Sequence, residues 1–110
     1  MGYDIIITYI RKCRYLRGDA LGKIYLSCNY SVYRDYFNIL DFEGKTVPIV
    51  LDAINKALIT LYKEGFSFSD FKSRNDGNPT KENFAYKLEC IANTLRLYNL
   101  EKYSIYIIEI

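Results

Sequence analysis

The sequence predicts an α+β domain, a small, mainly antiparallel sheet with two principal helices packed on one face. Three observations predict it. β-branched and aromatic runs without a helical charge pattern open and close the chain, at Tyr3–Ile10 and Tyr103–Ile110. Two stretches whose apolar residues recur at three- and four-residue steps lie between them. A length of 110 residues suits one domain with one continuous core, so residues 1–110 are read as a single unit.

Residues 3–10 read as a central strand with at least one fully buried face. A polar connection over Arg14–Asp19, broken by Gly18, leads to a second strand pattern at Lys23–Cys28. Ile24, Leu26 and Cys28 share one face of it, and the two strands form a β-hairpin. From Asn29 to Leu40 two readings compete. A helix capped by Ser31 brings Val32, Tyr33, Tyr36 and Phe37 to one side, whereas a strand sets Val32 and Tyr36 opposite Tyr33 and Phe37. The helical reading is preferred.

Asp41–Thr46 is a turn around Gly44. Thr46 is placed to cap a helix that carries Pro48 in its first turn, where a backbone donor has no partner anyway. That helix runs to about Lys63, burying Val47, Val50, Leu51, Ile54, Ala57, Leu58 and Leu61 and leaving Asp52, Asn55, Lys56 and Lys63 to water. Gly65 stops it. Phe66, Phe68 and Phe71 alternate with polar residues, and Lys72–Pro79 reads as an exposed loop. Thr80 caps a second helix with a stripe of Phe84, Leu88, Ile91, Ala92 and Leu95, ending near Tyr98 and Asn99. Tyr103–Ile110 is a closing strand expected beside the first.

Composition narrows the chemistry. The chain has twelve tyrosines and neither histidine nor tryptophan, which removes the usual acid–base and metal-binding side chain and supplies many amphipathic contact groups. A genome rich in A and T also favours Ile, Tyr, Asn and Lys, so the positions of the tyrosines carry more than their number. The net charge of +2 is too small to imply nucleic acid by itself, but residues 1–40 hold six Lys/Arg against three acids. Three cysteines without CxxC spacing exclude a disulfide framework and a common zinc motif, and fit a reducing cytoplasm. The run Ile5–Ile10 is interrupted by Thr8 and Tyr9 and is too short to span a bilayer, so no targeting segment or membrane partner is expected.

Gly44, Lys45 and Thr46 before a helix match the end of a phosphate-binding loop, but the earlier glycine falls on Ile39. An ordinary helix start explains them. Asp70, Asn75, Asp76 and Asn78 offer oxygen ligands, yet aligning Gly77 with the calcium-loop glycine puts Lys72 and Arg74 at ligand positions and Asn83 at the last. They read as turn residues. Cys13, among Arg11, Lys12 and Arg14, is the one thiol with a reason for a lowered pKa, while Cys28 and Cys90 read as packing residues. No cofactor, metal site or catalytic set follows.

The sharper pattern is the hairpin, where Arg11, Lys12, Arg14, Tyr15, Arg17, Lys23 and Tyr25, with Tyr9, interleave cations and rings. Such a surface meets an acidic protein partner or stacks on bases. The opening Met1–Ile7 (Met-Gly-Tyr-Asp-Ile-Ile-Ile), Asn29–Tyr33 (Asn-Tyr-Ser-Val-Tyr), and Gly44-Lys45-Thr46 followed by Val50, Leu51, Ala53 and Ile54 resemble small uncharacterised phage and bacterial proteins. The resemblance spans roughly the first 60 residues. It implies no activity, and it does imply a viral or mobile-element origin, in which small proteins act by binding and blocking a host factor. The expectation is therefore a non-enzymatic cytoplasmic interaction protein that binds a host protein, with a nucleic-acid or nucleotide-binding module as the alternative. A homodimer through an open strand edge is a further expectation.

Overall fold

The computed structural model describes residues 1–10, 20–66 and 79–110. Among them are three strands, β1 (Gly2–Tyr9), β2 (Gly22–Ser27) and β3 (Tyr103–Glu109), and two α-helices, α1 (Val47–Glu64) and α2 (Lys81–Arg96). The sheet order is β2-β1-β3 and both pairings are antiparallel. The opening run is thus the central strand and the closing strand lies beside it, as the sequence predicts. Ile5 faces Ile24 and Ile107 across the sheet, and Ile7 faces Gly22 and Ile105. Alternation along the strands turns Ile5, Ile7, Leu26 and Ile105 into a core shared with both helices.

All seven apolar positions predicted for α1 are buried. The five predicted for α2 are buried too, with Ala85 beside them. Gly65 ends α1 with φ +76, and its N–H donates to the Leu61 carbonyl. Thr80 caps α2 through a reciprocal pair: its hydroxyl accepts from the Asn83 N–H, and its own N–H donates to Asn83 Oδ1, both at 3.1 Å. The helix itself ends at Arg96, with a turn carrying the chain past Tyr98.

Three local expectations are corrected. Thr46 makes no side-chain cap on α1. It bridges to Ser104 instead, while Gly44 N–H donates to the Ile105 carbonyl (2.8 Å) and Ile105 N–H donates to the Lys45 carbonyl (3.1 Å). The Gly44–Thr46 segment is therefore a clasp along the outer edge of β3, and Gly44 takes φ +79 to make it. Cys28 is not in the strand, which ends at Ser27. The chain enters a 3₁₀ helix at Cys28–Tyr33, capped by the Ser27 hydroxyl and not by Ser31, and a second one follows at Ile39–Phe42. The stretch from Tyr33 to Phe37, which leaves the first 3₁₀ helix and leads to the second, packs Tyr33, Tyr36 and Phe37 against the core while Val32 stays exposed, so the single helical face expected for all four does not form.

Tyrosine side chains join these elements. Tyr33 stacks on Phe84 with centroids 5.1 Å apart and donates its hydroxyl to the Pro79 carbonyl at 2.9 Å. Tyr98 donates to the Leu21 carbonyl at 2.9 Å, and its ring meets Tyr103 edge-on. Lys81 draws together both sides of the 67–78 segment. Its Nζ donates to Glu64 Oε1 (2.9 Å) and to the Gly65 carbonyl (3.3 Å), over the rings of Tyr36 and Phe66. Tyr36 completes the group by donating to the same Glu64 oxygen at 2.6 Å.

Candidate functional site

Because strand side chains alternate, the residues between the core positions point to the sheet face away from the helices. On β2 these are Lys23 and Tyr25, so period two brings together the two predicted site residues that are described. Arg11, Lys12, Arg14, Tyr15 and Arg17 lie outside the described residues, as do Cys13 and the proposed oxygen ligands Asp70, Asn75, Asp76 and Asn78. Tyr9, grouped with the hairpin rings from sequence, falls on the opposite face. It packs there on Tyr103, with centroids 5.3 Å apart.

Pairing with β1 and β3 extends the face into two cross-strand rows. Tyr25, Asp4 and Ile108 form one; Lys23, Ile6 and Tyr106 form the other. Lys23 Nζ stands 3.9 Å from Asp4 Oδ2, and Lys23 is largely exposed, so the pair steers the side chains more than it stabilises the fold. Tyr25 donates its hydroxyl to the Met1 carbonyl at 3.1 Å and lies against Gly2. A Cβ built on Gly2 would sit 2.5 Å from the Leu26 carbonyl oxygen and 2.6 Å from the Tyr25 hydroxyl oxygen. Gly2 thus makes the seat that holds an otherwise exposed ring in place.

A recess of about 520 Å³ opens on this face between Asp4, Ile6, Lys23 and Ile108, with Ala20–Gly22 along one side. Its floor is apolar, and its rim holds one cation and one carboxylate. Further along, Thr8 and Ser104 are cross-strand partners on the same face, both buried, and the Ser104 hydroxyl has no hydrogen-bond partner.

Among the described residues no group of three or more Cys, Asp or Glu side chains is placed to hold a metal ion. Cys28 and Cys90 are free thiols, both half-buried. Among the described residues the perturbed groups lie elsewhere than the recess. The bond from Tyr36 holds the Glu64 carboxyl below its ordinary range, with Lys81 adding to the effect, and the bonds to Glu64 raise the Tyr36 and Lys81 pKa values, Lys81 itself opposing the rise at Tyr36. Burial raises Tyr62, helped by its bond to Glu89, and burial also raises Tyr30. These are contacts between structural elements.

Sequence reasoning missed Asp4, Ile108 and Tyr106 as neighbours of Lys23 and Tyr25. The alternation of each strand was visible, but the register that aligns them depends on pairing across the whole chain. No described helix is long and apolar enough to cross a membrane. Comparison of the chain with known protein families, with curated proteins and with solved structures gives no match.

Proposed function

We propose that this chain is a non-enzymatic interaction protein of the cytoplasm, a phage-type inhibitor that docks on a host defence protein through the sheet face away from the helices. The observation that supports this reading is the face itself. Tyr25 is 43 % exposed and fixed by its bond to Met1, and it stands beside a recess that sets an apolar floor within a charged rim. An anchored aromatic next to a hollow of mixed lining suits protein contact, since little side-chain freedom is lost on docking. The similarity read in roughly the first 60 residues, to small uncharacterised phage and bacterial proteins, motivates the biological setting of this proposal. The Lys23–Asp4 pair offsets the one described cation on this face, which favours a protein surface over a phosphate backbone.

Affinity capture with the tagged full chain tests it. The chain is expected to retain a stoichiometric host protein through nuclease treatment. Ile108→Glu on the recess should weaken retention at least about tenfold, while Ile59→Glu on the exposed side of α1 should not. Retention indifferent to Ile108→Glu overturns the assignment of the face. Loss of the partner on nuclease treatment overturns the protein-docking reading in favour of nucleic acid.

A further inference from the structure

A second cavity lies on the helix side of the sheet, where the end of β2 meets the two 3₁₀ turns. Its volume is about 300 Å³, at the small end of the range for small-molecule sites. Leu26, Phe37, Ile39 and Phe84 form an apolar floor, all of them buried.

The mouth differs in kind, with Ser27, Ser31, Arg34 and Asn38 around it. Two of its acceptor atoms are already engaged. Ser27 Oγ accepts from the Asn29 N–H, and Asn38 Oδ1 accepts from the Leu40 N–H, each at 3.2 Å. The local turns therefore occupy these two oxygens as acceptors and leave the Ser27 hydroxyl proton and the Asn38 NH₂ as donor capacity at the mouth. Arg34 adds a planar array of five donors and a full charge. It is the one charged side chain lining the cavity among the described residues, and it takes part in none of the ion pairs formed there.

An apolar floor beneath a donor-rich, singly cationic mouth has a definite complement. We propose that this cavity binds a small monocarboxylic acid with an apolar body, aromatic or branched aliphatic, its carboxylate at Arg34 and its body over Phe84. One guanidinium matches one planar carboxylate, bidentate, whereas a phosphate dianion would remain half neutralised. At about 30 Å³ per non-hydrogen atom the cavity holds about ten such atoms, the size of phenylacetate. The site is separate from the docking face, which lies on the other side of the sheet.

Phenylacetate is the probe, titrated into the ¹⁵N-labelled full chain. Saturable shifts of the backbone amides between Ser31 and Leu40 are expected, with a Kd of about 1 mM. Phenylacetamide, the neutral isostere, should bind at least about tenfold more weakly. Arg34→Gln should bring phenylacetate down to the level of phenylacetamide and leave phenylacetamide unchanged. Equal affinity of the two probes overturns the proposal, as does a preference for the acid that survives Arg34→Gln. Failure of phenylacetate to saturate by about 20 mM overturns it as well. The comparison of the two probes uses the unsubstituted chain, so it decides the matter even if Arg34→Gln disturbs folding.

Discussion

Gly2 is a strand residue whose missing side chain does structural work. A methyl group there meets a backbone carbonyl, which cannot rotate away as a side chain would, so the pairing of β1 with β2 must shift. Gly2→Ala is expected to cost about 1–3 kcal/mol, read as a lower urea midpoint with an unchanged slope. The loosened Tyr25 ring should broaden in NMR spectra. Nothing in the letters Met-Gly-Tyr-Asp singles this glycine out, because its neighbours arrive from residues 25 and 26. By contrast, the common face of Lys23 and Tyr25 was legible from the strand period alone.

At the scale of elements, the helices were the most legible part. Their apolar stripes, the Thr80 cap and the Gly65 stop all follow from local rules, and these positions behave accordingly. Thr46 has the same cap chemistry as Thr80 yet is drawn into pairing with β3, a tertiary demand that no local rule contains. The segment from Cys28 to Phe42 was ambiguous for a related reason: its rings dock one by one into a core built by other elements.

The contact group of Tyr36, Glu64 and Lys81 gives this scale its test. Glu64 has a depressed folded pKa, so its contribution is present above the ordinary carboxylate pKa and is lost as pH falls through the folded value. Tyr36 and Lys81 have raised folded values, so theirs is present below their ordinary pKa values and is lost as pH rises through the folded ones. The melting-temperature difference between the native chain and Glu64→Gln should therefore plateau between about pH 5 and pH 9 and shrink on both sides. A difference that stays flat from acid to alkaline pH would show that the contacts contribute nothing through charge.

For the whole molecule, tyrosine use becomes a structural principle. Among the described residues Tyr25, Tyr33, Tyr36, Tyr62 and Tyr98 each pass a hydroxyl proton to a distant segment. Such rings bring apolar area to a small domain and still satisfy polar ends. Composition bias can supply tyrosines, but it does not choose these partners. Phe84 is the hub of the arrangement, with Tyr30 and Tyr33 against it. Phe84→Ala should cost about 3–5 kcal/mol, a large share of the stability of a domain this size. Circular dichroism and ring NMR signals should then report one common melting transition if a single core joins sheet and helices.

The clasp at Gly44–Thr46 also governs how copies of the chain can meet. Ile105 already gives both its N–H and its carbonyl to this segment, so a visiting strand cannot form a continuous ladder along the outer side of β3. A turn that looks like the mere beginning of a helix thus interrupts strand addition along this edge.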